Sequence, residues 1–199
     1  MKLYSLIFIV SLNLYPIHIS ANALGLAPNT ARLGIAAGLT KIHLIDNITH
    51  CEITTVNQTF SLLYSDWFLG GTRYWLELLY TQANFDASET QTEQELTQIN
   101  SQIAIQRNFP INDWLMPWLG MGLSIYYNQF TQRRGLDEKG LLSKKYADRT
   151  ENIMGLTFSV INEWPIATQL DITTHIEHFI ALGDRQRASS FKIAVLYRY

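Results

Sequence analysis

The sequence has few of the features that stabilise small extracellular domains or attract nucleic acid. Cys51 is its only cysteine, so no disulfide can form within the chain. The 17 acidic residues slightly outnumber the 15 basic ones, which leaves no basic excess for binding nucleic acid. Charged residues make up 16% of the chain, against about 25% in average soluble domains, while 47% of the residues are hydrophobic. These proportions are unusual for a domain with a fully solvated surface.

A long apolar run is also absent. No stretch of 18 apolar residues occurs that could form a membrane-spanning helix. At the N-terminus, Lys2 precedes a short, mostly apolar stretch, and residues 21–23 have the sequence Ala-Asn-Ala. This pattern predicts a secretory signal peptide at 1–23. An N-terminal membrane anchor, the alternative, requires roughly 20 apolar residues. The rest of the chain, 24–199, suits one domain.

Most of this domain consists of segments in which apolar and small polar side chains alternate. A period of two is typical of strands, and helices do not produce it. In the first segment, for example, Leu33 and Ile35 alternate with Gly34 and Ala36. The facing of the second segment is ambiguous. The eight segments with this pattern are 32–44, 59–69, 73–85, 96–107, 118–130, 152–163, 168–179 and 191–199.

The two faces of these segments differ in a way that predicts their surroundings. Gly, Ser, Thr, Asn and Gln dominate the polar faces, whereas the outer face of a soluble β-sandwich, the alternative, would be rich in Lys and Glu. An apolar outside and a small polar inside are typical of a transmembrane barrel. Closure is required because lipid cannot satisfy open strand edges. The sequence therefore predicts an all-β fold: an eight-stranded antiparallel up-and-down transmembrane β-barrel.

The connections between the predicted strands alternate in length. Those after the second, fourth and sixth strands are short, and the other connections are longer and more polar, the longest being 132–151. Bacterial barrels have short periplasmic turns and longer extracellular loops. We therefore expect both termini in the periplasm and the long loops outside the cell.

The last segment, 191–199, carries an apolar and aromatic stripe on one face. A chain that ends within its final strand on an aromatic residue resembles the outer-membrane β-barrels of Gram-negative bacteria. The hairpin from 170 onward, with Ala-Leu-Gly-Asp at 181–184 and a Tyr-Arg-Tyr ending, is similar to opacity-type porin-like proteins. The whole domain looks like the small eight-stranded barrels, which include the outer-membrane protein A, X and W types. The resemblance implies that the assembly machinery reads a C-terminal signal formed by Phe191, Ile193, Val195, Tyr197 and Tyr199.

Several charged residues lie on the predicted interior face. An eight-stranded barrel has an interior that side chains just fill, and buried charges need partners. Because the two signs are nearly balanced, the pattern favours a paired charge network that fills the lumen. A narrow or gated ion path is the alternative. The predicted lumen network comprises Arg73, Glu77, Asp171, His175, Glu177, Lys192 and Arg198.

The run His175-Ile-Glu177-His178 raises the question of catalysis. Small outer-membrane barrels that deacylate lipid A carry a histidine and a serine two residues apart on a lipid-facing strand. Here Glu177 stands two residues after His175, and Ile180 stands two residues after His178, so that serine is absent. His175 and Glu177 also face inward while His178 faces outward. A metal site would need a third ligand, for which Asp171 is the candidate. We expect no catalytic, metal or cofactor site.

The expected function is structural or a surface interaction of the adhesin type, without catalysis, in the outer membrane of a Gram-negative bacterium. A lipid A-modifying enzyme and a narrow channel or small-hydrophobe transporter are the alternatives. Expected partners are outer-membrane lipid and lipopolysaccharide, the barrel assembly machinery, and a host or matrix ligand at the long loops. We expect a monomer that does not bind nucleic acid. Loop residues expected to contact polyanions, or else simply to be solvated, are Arg133, Arg134, Lys144 and Lys145.

Overall fold

The chain folds into strands throughout the part that the computed structural model describes. This part comprises residues 31–89, 91–111, 117–183 and 186–199, without the side chains of Phe68 and Leu69. The predicted signal peptide at 1–23 lies outside it. Within the same ranges, no helix is long and apolar enough to cross a membrane. The strands are β1 Arg32–Ile45, β2 Glu52–Leu69, β3 Thr72–Phe85, β4 Glu93–Asn108, β5 Trp118–Leu136, β6 Leu142–Lys145, β7 Arg149–Ala167, β8 Leu170–Ala181 and β9 Gln186–Arg198.

Eight of these strands form a closed antiparallel barrel. Their order is β4-β3-β2-β1-β9-β8-β7-β5, and β4 pairs with β5 to close the sheet. The first and last strands are direct neighbours, with Ile35 opposite Val195. The short strand β6 lies in the connection between β5 and β7 and pairs with β5 outside the barrel order. The predicted eight-stranded antiparallel barrel is therefore confirmed, with β6 as an addition.

The strands alternate between an apolar outer face and a buried inner face. In β1, Ile35 is 65% exposed while Ala36 is 5% exposed. In β2, the facing that the sequence left ambiguous is resolved, since Leu62 points outward and Leu63 is fully buried. The outer face is thus apolar without being covered by any other part of the described chain. The inner face combines Ser, Thr, Asn and Gln with charged groups and three apolar clusters.

The strands extend further than predicted. β2 begins at Glu52 rather than 59, and β5 continues to Leu136 rather than 130, because cross-strand pairing continues beyond the apolar belt. Each barrel strand has 12 to 19 residues, more than the roughly 9–11 that a bilayer requires.

These extensions correct the predicted alternation of connection lengths. The connections 46–51 and 182–185 are shorter than the 109–117 connection after β4, which was expected to be the shorter type. We call the end with residue 31, Arg198 and the two-residue turns 70–71 and 168–169 the terminus end. The opposite end is the loop end.

A bulge in β5 reverses the facing of its last residues. Gln132 has a positive φ of 53°, and the pairing with β4 shifts register between Glu93 and Glu95. A bulge adds one residue to one strand and re-aims the side chains that follow it. Arg133 is consequently buried, where the sequence placed it in an exposed loop. Its guanidinium donates to the Ala147 carbonyl at 2.8 Å and to Asn47 Oδ1.

Candidate functional site

The interior near the terminus end holds a layer of five charged side chains from five strands. Glu163 accepts from Arg32 at 2.6 Å and from Arg73 at 2.5 Å. Asp171 accepts from Arg198 Nε at 2.7 Å and lies 3.5 Å from Arg32 Nε. Each carboxylate thus lies between two guanidinium groups. We call these residues the first charge layer.

Arg73 is fully enclosed within this layer. Its guanidinium lies 4.9 Å from the ring centre of Trp75 and 3.9 Å from that of Trp118, within the range of cation–π attraction. Its Nε also donates to Gln106 Oε1 at 2.8 Å. The aromatic rings and the amide therefore complete the surroundings of a fully buried cation.

A second charge layer lies deeper in the barrel. Lys192 Nζ donates to both Glu77 Oε1 and Glu177 Oε2, and all three side chains are buried. The His175 ring packs edge-on against Trp75 at 5.1 Å, and its Nε2 lies 2.5 Å from the Thr173 hydroxyl. The ammonium group of Lys192 bridges the two carboxylates.

This second layer revises the metal hypothesis. Candidate ligand atoms of Glu77, His175 and Glu177 lie within 4.8 Å of one another, so the geometric third partner is Glu77 rather than Asp171. Asp171 instead binds arginines of the first layer. Because the Lys192 ammonium already binds both glutamates, the cluster carries an internal cation of its own.

The two layers balance each other in charge. The first contains three arginines and two carboxylates, and the second contains one lysine and two carboxylates, so with His175 neutral the excess charges cancel. Arg32 and Glu163 are members that the sequence prediction missed. The strand period of two could have identified them. Arg32 lies an even number of residues from the inward-facing Ala36, and Glu163 lies an even number from the inward-facing Ser159, so both share the interior face.

Further toward the loop end, the interior becomes amidic and then apolar. Gln98 donates to Asn128 at 2.9 Å, and Asn128 donates to Gln186 at 2.7 Å. The Tyr126 and Phe179 rings pack against each other, with 4.4 Å between their centres. The apolar cluster comprises Ile42, Leu44, Ile53, Ala83, Phe85, Leu96 and Phe130. Side chains therefore occupy the described interior in successive charged, amidic and apolar zones.

Asp46 joins two connections at the loop end. One carboxylate oxygen accepts the amides of Ile48 at 2.7 Å and Thr49 at 3.3 Å, and the other accepts the amide and hydroxyl of Thr92 at 3.0 and 2.9 Å. Burial opposes ionisation of Asp46, but these hydrogen bonds outweigh it and hold the pKa of the carboxyl below its ordinary value of 3.8. The connection after β1 is thereby attached to the start of β4.

On the outer face, His178 has a hydroxyl partner that the sequence did not reveal. Its Nδ1 lies 2.8 Å from Ser189 Oγ, and both side chains are exposed. The serine comes from the neighbouring strand β9, directly opposite His178, rather than from two residues along β8. Among the described residues no carboxylate contacts the His178 ring, so the pair lacks the third group that orients a catalytic histidine.

The remaining predicted residues lie on the surface. The residues predicted as the assembly signal are all exposed on the outer face of β9 and at the residue that follows it: Phe191, Ile193, Val195, Tyr197 and Tyr199. Arg134 and Lys145 are exposed and directly opposite each other, with Lys144 opposite Gly135. We call Arg134, Lys144 and Lys145 the basic ribbon. Arg133, which was predicted to accompany them, points into the barrel instead.

Comparisons with known proteins identify the fold. No protein-family model and no curated protein sequence matches the chain. Among solved structures, the outer membrane protein OprG from Pseudomonas aeruginosa is similar at 10% identity, covering 86% of this chain and 97% of that one, with a TM-score of 0.56. Neisserial surface protein A is similar at 11% identity, covering 84% and 97%, with a TM-score of 0.55.

A third similar structure was solved with a bound ligand. It is Ail, the attachment invasion locus protein of Yersinia pestis, in complex with the heparin analogue sucrose octasulfate. The identity is 12%, covering 85% of this chain and 99% of Ail, with a TM-score of 0.52. At such identities the likeness establishes the fold alone. The chain has the fold of the small eight-stranded outer-membrane barrels, as the sequence resemblance predicted.

Proposed function

We propose that this protein is an outer-membrane barrel of a Gram-negative bacterium whose filled interior serves structure and whose loop end serves surface interaction. The observation that carries the proposal is the contrast between the two faces of one sheet. The outer face exposes Ile35, Phe60, Ile105, Met121 and Ile193, each between 53% and 65% exposed. A belt of this kind suits lipid and would cause a soluble protein to associate.

The filled interior supports a role other than conduction. Both charge layers are internally paired, and the amidic and apolar zones follow them toward the loop end. An open path would require rings of unpaired polar groups around water. The narrow channel is therefore the weaker candidate. The first test is bilayer conductance of the purified barrel, and steps of discrete conductance would contradict the proposal.

We place the terminus end in the periplasm and the loop end outside the cell. The two-residue turns at 70–71 and 168–169 are typical of periplasmic turns. The basic ribbon then faces the surroundings of the cell. Its three cations sit on two paired strands within a few residues of one another, which suits a sulfated or phosphorylated polyanion. The complex of Ail with sucrose octasulfate gives a precedent on the same fold.

The decisive experiment combines location with binding. We expect the protein in the outer-membrane fraction, with a gel mobility in SDS that changes on boiling. Binding to immobilised heparin should weaken when Arg134, Lys144 and Lys145 are all replaced by Gln, and should be unaffected in the matched variant Lys139→Gln. Equal binding by both variants would refute the ribbon as the contact surface while leaving the barrel proposal intact.

The absence of catalysis is part of the proposal. The exposed Ser189–His178 pair is the feature closest to a catalytic group, and it lacks a described carboxylate partner. We expect the mass of lipid A to be unchanged when the protein is expressed in a bacterium that lacks it. Loss of an acyl chain in the wild type but not in Ser189→Ala would establish the enzyme alternative instead.

A further inference from the structure

On the outer wall formed by β1, β9 and β8, the apolar belt gives way to mainly polar residues toward the loop end. Strand pairing aligns the outward residues of these strands in rows that cross the wall. The last apolar row comprises Leu39, Phe191 and Ile176. The next row toward the loop end comprises Lys41, Ser189 and His178, and the row after it comprises His43, Arg187 and Ile180. Two cations, two histidines and a hydroxyl thus begin where the apolar belt ends.

The cations in these rows are available to an anion. Lys41 and Arg187 are exposed, and neither forms an ion pair with a residue that the structure describes. His43 contacts the Thr54 hydroxyl at 2.7 Å and lies 3.5 Å from Glu52, whose side chain is 71% exposed. Glu52 is therefore the acidic neighbour of the patch, and it lies beside His43. The net character of the two rows is basic with hydroxyl and imidazole donors, which suits phosphate.

A groove lies on the same wall, nearer its middle. It has a volume of about 680 Å³, within the range of about 300–1,000 Å³ that is usual for ligand pockets. Its floor is Ala37, whose cross-strand neighbours are the larger Phe60 and Ile193. The outward side chains that line it are almost entirely apolar and include Ile35, Leu62 and Tyr80. A single small residue among large ones therefore creates a trough open to the lipid side.

The groove and the basic rows are correctly spaced for one lipid. Ala37 and Lys41 lie on the same face of β1, four residues apart, which corresponds to about 13 Å along the strand. A chain lying in the groove would thus bring its headgroup to Lys41, Ser189 and Arg187. Either feature alone would be ordinary for a barrel, but their alignment on one wall joins an acyl-chain site to an anion site.

We propose that the β9–β1–β2 wall binds one molecule of phosphorylated lipid of the outer leaflet, with a lipid A phosphate on Lys41 and Arg187 and an acyl chain in the Ala37 groove. The His178–Ser189 pair supplies further hydrogen-bonding groups beside the phosphate. This inference rests on the proposed placement of the loop end outside the cell, because lipid A occupies the leaflet that this end would face. It does not involve the basic ribbon.

The test measures lipid A retained by protein purified from outer membranes in mild detergent, by native mass spectrometry. The double variant Lys41→Gln, Arg187→Gln should retain about thirtyfold less lipid A, since each of the two surface cations contributes about 1 kcal/mol of attraction to anionic lipid. Ala37→Phe should cause a similar loss by filling the groove. The matched controls are Arg107→Gln, an exposed cation near the terminus end, and Leu123→Phe, on the opposite wall. Both controls should retain lipid A like the wild type.

Lipid vesicles identify the headgroup. Wild-type barrel should bind lipid A in vesicles of phosphatidylethanolamine, and should bind dephosphorylated lipid A much more weakly. Equal binding of phosphatidylglycerol would overturn the assignment to lipid A, and equal retention by all four variants would overturn the site. Each variant is also examined for its heat-dependent gel shift. If the site variants show a normal gel shift and retain as much lipid A as the wild type, this inference alone is rejected. If the wild-type protein itself shows no gel shift or is absent from the outer membrane, the proposed function is rejected.

Discussion

Lys192 of β9 and Glu77 of β3 form an ion pair across the barrel interior, although 115 residues and two intervening strands separate them. The contact passes through the lumen rather than along the sheet. Hydrogen bonds between neighbouring strands close the barrel, but this pair connects walls that are not neighbours. It therefore fixes the cross-section of the barrel in addition to its circumference.

Replacing Lys192 should be strongly destabilising. Lys192→Met leaves Glu77 and Glu177 buried without their cation, and breaking a buried pair in this way costs about 3–5 kcal/mol. Guanidinium unfolding of the barrel in micelles measures the change. The triple variant with Glu77→Gln and Glu177→Gln should recover much of the loss, because no charge is then left unpaired. A single variant as stable as the wild type would contradict the bridging role of Lys192.

A side chain at position 38 should destabilise the barrel. A Cβ at this position would overlap the Phe191 carbonyl oxygen and lie 2.6 Å from the Cα of Lys192. Gly38→Ala should therefore lower the unfolding free energy by about 1–3 kcal/mol through overpacking. Gly70→Ala is the matched control, since a Cβ at Gly70 meets nothing within 4 Å. Unfolding midpoints that fall equally in both variants would argue against close approach of β1 and β9.

Acid should release the connection at 46–51. Because the folded pKa of Asp46 lies below its ordinary value of 3.8, the stabilisation from this carboxylate is complete above that pH and is lost as the pH falls through the folded pKa. Amide hydrogen exchange at Ile48 and Thr92, corrected for intrinsic rates, should accelerate over this acidic interval. In Asp46→Asn the amides should already exchange faster at neutral pH, without the acid-dependent step. A wild type with no such step would disprove the assignment.

Two adjacent arginines should behave in opposite ways. Arg133→Gln removes buried hydrogen bonds to Asn47 and Ala147, so the loop end should become more sensitive to protease while heparin binding falls little. Arg134→Gln removes an exposed cation of the basic ribbon, so heparin binding should fall while protease resistance stays unchanged. Limited proteolysis and heparin affinity, measured on both variants, separate the two roles. Identical behaviour of the two variants would contradict the buried role of Arg133 and the exposed role of Arg134.

The barrel could be predicted from the sequence because its main signal is local. Alternation of Ile35 with Ala36, repeated along each strand, specifies two faces without knowledge of any partner. The strand ends could not be predicted in the same way, since residues such as Glu52 belong to β2 only through pairing with Ile45. Arg133 was misplaced because a bulge at Gln132 reverses which residues of β5 face inward, and no apolar pattern in the sequence marks that reversal.

The site was partly predictable for a related reason. The alternation of residues along each strand placed Glu77, His175 and Lys192 on the interior face. It could not predict which of them are in contact, because contacts across the lumen depend on the relative height of distant strands. The Ser189–His178 pair illustrates the limit. A search along one strand finds no serine near His178, whereas cross-strand register brings Ser189 directly opposite.

Strand β6 has a consequence of another kind. Among the described strands it pairs on one side only, with β5, so its other side offers free amide and carbonyl groups in a molecule whose barrel has no open edge. Exposed edges of this type invite pairing with further chains, and lysine is a common means of preventing it. Lys144 and Lys145 occupy half of β6. They therefore guard this edge against pairing with the edge strand of a neighbouring barrel, whatever ligand they also attract.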